Sequence, residues 1–393
     1  MRVFKRRGFA LLISLSAVGA TALSVPGSAS ASASASASTT PVQTFKPCHI
    51  INPVLNTNVS PQSISTTSSS FPHFTSSITV SGTKYTFTIA GKNPARVVVN
   101  PASTIKVFLV PVVVSLGAPY TWDPTIRDNC DSGASALVRT KNSPIFASQA
   151  WTWGGTSIGT GQVTDAFQRA EFWKFAQPVG GNPNYAVNLS LKVLPKITLS
   201  SPSGAVAPIG CGNKYLGAVD INWLDPYLQS TVIPSLASQG VGPSSLPIFL
   251  LHNVVEYQGT TSNCCALGYH NAFTAITGAQ TYAVSMYDNS GFIPGSSDIS
   301  VLSHEVAEWV NDPFTNNPTP PWGHTGQVTG CQSNLEVGDP LSGTTFADTI
   351  GGFTYHPQEL AFFSWFFHQS PSHGVNGWYS DQGTFKTFAA HCA

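Results

Sequence analysis

Residues 303–313 read SHEVAEWVNDP. Within them, His304-Glu305-Val306-Ala307-Glu308 differs by one letter from H-E-x-x-H, the helix-borne zinc signature of metalloproteases. The surrounding pattern reads as a helix over 298–311. Ser296, Ser297 and Asp298 are N-cap candidates, and Asn311-Asp312-Pro313 is a suitable stop. At about 100° per residue, with His304 at zero, Glu308 falls near 40° and Glu305 near 100°. Ile299, Leu302, Val306, Trp309 and Val310 fall between roughly 140° and 240°. The apolar stripe is thus opposite the His304/Glu308 pair, so one face is expected to dock on a core while the other looks into a cleft. A solvated helix with a favourable i,i+4 His–Glu pair would show the same pattern. Scarcity argues for function: the chain has six Glu (171, 256, 305, 308, 336, 359), and two fall in this pentad.

A helix that supplies two metal ligands needs a third from elsewhere and an open position. The stretch CQSNLEVGDP (331–340) offers Glu336 or Asp339, and Gly-Asp-Pro also suits a turn. His324 is an outsider for the same role. With His304, Glu308 and one of Glu336/Asp339 as ligands, Glu305 remains as general base for water attacking a carbonyl. Exchanging an imidazole for a carboxylate makes the site harder and more negative. Zn²⁺ is the expected cofactor, with less discrimination against Mn²⁺, Fe²⁺ or Ca²⁺. His270, in ALGYHNAF, is a second catalytic candidate that could line the cleft or polarise a substrate carbonyl. His252 and Glu256 share a strand face and read as structural. His356, His368, His373 and His391 read as packing groups of an aromatic-rich tail.

The chain's 393 residues allow one large domain or two smaller ones. Lys+Arg and Asp+Glu are both 18, and only 9% of residues are charged. Zero formal charge gives no electrostatic case for nucleic acid or an anionic membrane as partner. Arg2, Lys5, Arg6 and Arg7 precede the apolar run GFALLISLSAVGATALSV and small-residue sites such as Ala29-Ser30-Ala31. This is the layout of a secretory signal peptide over 1–31, implying secretion and no membrane in the mature form. Seven cysteines in an oxidising compartment allow three disulfides and one leftover thiol. Vicinal Cys264 and Cys265 are expected to take different partners.

After a low-complexity linker (32–45), residues 46–200 read as β-rich. SSITVS and KYTFTIA flank a turn, and VVVN, IKVFLVPVVV, NYAVNLSLKVL and PKITLS are strand-like. VTDAFQRAEFWKFA (163–176) is helical, and 221–240 is a helix interrupted at Pro226 and Pro234. Residues 201–393 add the strands PIFLLHNVVEY and TYAVSMYD around the 298–311 helix. The fold class is α+β: a β-rich N-terminal part and a C-terminal metal-site part with its helix packed on a mixed sheet. The two parts are separate domains or one intertwined unit.

CCALGYHNAF, TYAVSMYD, SHEVAEWVNDP and LEVGDP, in that order, resemble secreted bacterial proteins related to the plant EXORDIUM (phosphate-induced protein) family. The resemblance covers about 250–345, and GQVTDAFQRAEFW adds a fainter likeness. It implies a zincin-like arrangement, with His304, Glu305 and Glu308 on the site helix and Glu336 or Asp339 facing it. It also implies a cell-wall association, and it supports a metal site better than it supports proteolysis. Two functions follow as expectations. One is a secreted metal-dependent hydrolase, most simply a zinc endopeptidase acting on a peptide or wall polymer. The other is a non-catalytic wall or matrix protein with a structural or vestigial metal site. A glycosidase is a poorer match, because Glu305 and Glu308 on one helix cannot straddle a sugar.

Overall fold

The computed structural model describes residues 42–46, 50–55, 70–96, 101–130, 133–212, 214–388 and 392. The expected signal peptide, Cys48, the VVVN run and His391 lie outside the described residues. The elements that position the site begin with a hairpin, β1 (His73–Val80) and β2 (Thr83–Ala90). The long strand β3 (Ala102–Ser115), helix α1 (Val163–Glu171) and strand β4 (Ala186–Val193) follow. Next come β5 (Gly204–Pro208), β6 (Tyr215–Asp220) and α2 (Ile221–Tyr227). β7 (Ser245–His252), β8 (Val254–Tyr257), β9 (Cys264–Ala266), β10 (Gly268–Ala275) and β11 (Gly278–Tyr287) lead to the site helix α3 (Ser300–Asn311). A last hairpin, β12 (Pro318–Thr325) and β13 (Val328–Asn334), closes the site.

The larger sheet runs β10-β11-β7-β3-β4, antiparallel at β10/β11 and parallel across the rest. It is therefore mixed, and β3 from the N-terminal half sits between β7 and β4. Strands of a parallel sheet covered on both faces need apolar residues in both directions. The IKVFLVPVVV and PIFLLH runs meet that need. Leu109, Ile248 and Leu250 join Leu302, Val306, Trp309 and Val310 of α3 in one core. Their neighbours Val110, Phe249 and Leu251 point the other way, to Ile221 and Leu224 of α2. Pro111, which cannot donate to a ladder, falls where β3 changes neighbour. Pairing with β4 ends at Leu109, and pairing with Ile197–Ser200 begins at Val112.

PIFLLHNVVEY is not one strand. Asn253 adopts φ +52°, and the chain passes from β7 into β8 of a second sheet ordered β5-β6-β8-β9. His252 and Glu256 accordingly belong to different sheets, which corrects their expected common face. Gln43–Thr44 extends the second sheet by pairing in parallel with β5. The architecture is α+β and β-rich. No helix among the described residues is long and apolar enough to cross a membrane.

One helix expectation is refined and another corrected. The 221–240 segment continues through Pro226 as α2 and a π turn (Leu228–Val232) before its shorter helical pieces. At α3 no side chain caps the N-terminus, and Ile299 occupies the cap position. Asp298 instead accepts from Ile299 N (2.5 Å) and His356 N (3.0 Å), and it pairs with His356 Nδ1 at 2.7 Å.

α1 and α3 meet through buried polar groups. Gln168 Nε2 donates to Glu171 Oε1 (2.5 Å) and Asn311 Oδ1 (3.3 Å), while Phe363 N donates to Glu171 Oε2 (2.9 Å). Burial pushes the Glu171 carboxyl from 4.5 up to about 8, against hydrogen bonds from Phe363, Asn311 and Gln168. The folded chain therefore holds a proton here that the unfolded chain releases above pH 4.5. The associated stability is complete below pH 4.5 and is lost as pH rises towards 8, on the order of 3 kcal/mol by pH 7. Glu171→Gln removes this dependence. Thermal melts of variant and parent between pH 4.5 and 8 should diverge, the variant gaining stability relative to the parent as pH rises. Parallel curves would show that Glu171 is ionised in the fold.

Candidate metal centre

All twelve residues of α3 are buried. The apolar side packs into the core, and the opposite side closes against a loop and a strand. His304, Glu305 and Glu308 are 7%, 5% and 4% exposed. One turn apart, as the helical spacing requires, His304 Nε2 and Glu308 Oε2 stand 3.1 Å from each other. Asp339 Oδ1 lies 3.6 Å from His304 Nε2, and Asp339 is 3% exposed. Ligand atoms at about 2.1 Å from a tetrahedral ion are roughly 3.4 Å apart, so these separations match an ion's first shell.

The loop that brings Asp339 there is fixed by α3 itself. Gly338 N and Asp339 N donate to Glu308 Oε1 at 3.0 and 3.3 Å, which leaves Oε2 to face the imidazoles. Gly338 is required by contact rather than by torsion. A Cβ on it would come within 2.4 Å of His304 Nδ1 and 2.5 Å of Cγ. The Asp339 carboxylate is oriented by Asn52 Nδ2 (2.9 Å), Gln327 Nε2 (2.5 Å) and Gln332 Nε2 (3.1 Å).

Gln358 determines the state of His304. Its Nε2 donates to Gly338 O (2.6 Å), so its Oε1 is the atom 3.1 Å from His304 Nδ1. An amide oxygen only accepts; Nδ1 therefore carries a proton, and Nε2 faces Glu308 and Asp339. An imidazole held by its second nitrogen in this way is the usual outer support of a metal ligand.

β10 supplies the third wall. His270 Nδ1 is 3.4 Å from Glu305 Oε2 and 3.6 Å from Glu308 Oε2. Gly268 makes room for the Glu305 stem, since a Cβ there would come within 3.1 Å of Glu305 Cγ and 2.7 Å of Val301 Cγ1. Asn334 Nδ2 donates to Glu336 Oε1 (2.6 Å). Glu336 and Asp339 are therefore not interchangeable. Asp339 groups with His304 and Glu308, whereas Glu336 groups with His270 and Glu308, ligand atoms within each set lying within 4.8 Å of one another.

The electrostatics record an excess of buried negative charge. Burial alone would lower His304, but Glu308, Glu305 and Asp339 hold it well above its ordinary value. His270 is raised by Glu305 and Glu308 against the same burial. Burial and the nearby Glu308 carry Asp339 up to about 7, and Glu336 goes well above its normal range for the same reasons. Burial also raises Glu305, while His304 overcomes it at Glu308 and holds that carboxyl below its ordinary value. A cluster of four carboxyl groups lining one cleft favours a cation.

The cleft, about 330 Å³, is lined by Asn52, His270, Glu305, Glu308, Glu336 and Asp339, among others. It has room for several waters or one amino-acid residue. Residues 50–55 form its outer rim. Ile51 N donates to Cys265 O (2.9 Å), and Gln258 holds both the N–H and the carbonyl of Val54.

His324 is not part of the centre. It lies exposed on β12, its Nε2 3.6 Å from Cys331 Sγ, and Cys331 is bonded to Cys392. His252 pairs with Asp128 (3.1 Å), while Glu256 is fully buried, its carboxyl pushed well above the ordinary range by burial and by nearby Glu305. His368 lies over Phe388 and His373 meets Phe175 edge-on, as expected of packing groups, whereas His356 is tied to Asp298. Cys264 and Cys265 bond to each other, contrary to expectation. The peptide between them is cis and brings the Cα atoms to 3.0 Å. Cys130–Cys211 is the remaining disulfide among the described residues.

Asn52, Gln327, Gln332 and Gln358 were not foreseen. Isolated amides carry no spacing signal, although Gln332 lies within the CQSNLEVGDP stretch itself. Comparison with protein-family models, curated proteins and solved structures gives no match.

Proposed function

We propose that this chain is a metal-dependent hydrolase of zinc-endopeptidase type, with His304, Glu308 and Asp339 holding a divalent cation and Glu305 serving as proton carrier. The observation that supports this best is the convergence of His304 Nε2, Glu308 Oε2 and Asp339 Oδ1, with the opposite nitrogen of His304 already occupied by Gln358. One imidazole and two carboxylates suit Zn²⁺ while admitting Mn²⁺. A cation held there would supply Lewis acidity, polarising a substrate carbonyl and making water a better nucleophile.

The chain's own groups do the rest. Glu305 lines the cleft beside the three ligand atoms without belonging to either ligand set. Its carboxyl is raised by burial, which suits a group that takes a proton from water and returns it to a leaving amine near neutral pH. His270 Nδ1–H restrains that carboxylate. Gly268, having no Cβ, lets the Glu305 stem lie against β10. Asn52 and its neighbours Pro53, Val54 and Leu55 line the cleft beside Asp339. The expected signal peptide and the three disulfides fit an extracellular setting with a peptide or wall polymer as substrate.

One observation favours a second reading, a wall or matrix protein with a structural metal: every proposed ligand is less than a tenth exposed. Chelation separates the two. The purified chain, assayed on an unstructured protein substrate such as casein, should lose hydrolysis on chelator treatment and regain it with added Zn²⁺ or Mn²⁺. Chelator-sensitive melting with no turnover would select the structural reading. Turnover indifferent to chelator would reject a metal mechanism.

A further inference from the structure

Glu308 belongs to two ligand sets that have no other residue in common: His304/Glu308/Asp339 and His270/Glu308/Glu336. The second set adds β10 to the elements of the first, and its Glu336 precedes Asp339 by three residues in the segment following β13. It also has the marks of unfilled coordination. His270 is 6% exposed, and its Nε2 is buried with no hydrogen-bond partner. Glu336 has one oxygen fixed by Asn334, and its other, Oε2, is buried with no partner. Buried polar atoms are ordinarily satisfied, and these two residues of one three-ligand set each leave a buried atom without a partner. Glu308 can serve both sides. Its Oε1 is consumed by two backbone N–H groups, and its Oε2 lies 3.1 Å from His304 Nε2 and 3.6 Å from His270 Nδ1.

We infer that the centre is binuclear: a second divalent cation is held by His270, Glu308 and Glu336, and the Glu308 carboxylate bridges it to the first. The inference rests on the reading above, because the bridge is one of the first ion's ligands. Formal charge agrees with it. Glu305, Glu308, Glu336 and Asp339 place four carboxyl groups on one cleft, and two divalent ions offset more of their charge, once ionised, than one does. Both sets contain one nitrogen and two oxygens, a donor choice that suits Zn²⁺, Mn²⁺ or Co²⁺. Ions sharing one carboxylate sit about 3.5–4 Å apart in two-metal hydrolases, where the pair clamps the attacking and leaving atoms together. His270 then acts as a ligand rather than as a polariser of the substrate carbonyl.

The test counts ions on the full chain with Mn²⁺ as probe, by equilibrium dialysis and by electron paramagnetic resonance. The parent should bind two equivalents, and at two equivalents it should show the multiline spectrum of a spin-coupled pair. Glu336→Gln, close to isosteric, should bind one equivalent with an isolated-ion spectrum, and His304→Ala should likewise lose the coupling. One equivalent in the parent, removed by His304→Ala but not by Glu336→Gln, would overturn the second position while leaving the first intact. No bound ion at all would overturn both readings. Should Glu336→Gln fail to fold, the parent's own count and coupling still decide the matter.

Discussion

Glu305→Gln should lower turnover about 10²- to 10⁴-fold while the protein keeps its metal and its melting temperature. This is the range lost when a positioned general acid–base is removed. The exchange is nearly isosteric, and the fit of the Glu305 stem against Gly268 and Val301 is unchanged by it. Burial already disfavours the charged carboxylate here, so an amide costs the fold little. The amide, however, cannot accept a proton. Steady-state hydrolysis and a metal assay on the same sample provide the check. Full activity in this variant would remove Glu305 from the mechanism. Loss of metal together with activity would mark it as a ligand.

The larger consequence for the site itself is expected from Glu308→Gln. Glu308 supplies the oxygen that faces both imidazoles, and its other oxygen ties the Gly338–Asp339 loop to the helix. Gln can still accept from the two backbone N–H groups through its carbonyl oxygen, so the loop should stay in place. Its amide nitrogen then takes the position of Oε2, where it presents donors rather than a lone pair and carries no charge. Metal affinity should fall at least 100-fold, about 2.7 kcal/mol, with circular dichroism unchanged. In Glu308→Ala the loop bonds are lost as well, and melting temperature should fall together with affinity. A Gln variant that binds metal like the parent would show that this oxygen is not a ligand.

Much of this centre was legible from spacing alone. The i,i+4 separation of His304 and Glu308, opposite Val306 and Val310, placed two candidate ligands on one face whatever the tertiary fold. Continuous β-branched runs such as IKVFLVPVVV announced strands. What spacing could not resolve was the division of labour between Glu336 and Asp339. It depends on the Gly338 backbone passing against the His304 ring, and a turn motif carries no such distance. The amides that orient the ligands were equally silent, because Asn52, Gln327 and Gln358 reach the site from three distant segments. The split of PIFLLHNVVEY was hidden for a local reason: a positive φ at Asn253 breaks a segment whose hydrophobicity is uninterrupted. At Cys264–Cys265, sequence statistics favoured separate partners, and only the backbone geometry shows otherwise.

The most direct test of the cation centre is a metal count on the folded parent chain beside Glu308→Gln, by plasma mass spectrometry after dialysis against Zn²⁺. The account predicts stoichiometric zinc in the parent and almost none in the variant, both equally folded. Equal zinc in the two proteins, or none in either, would contradict it.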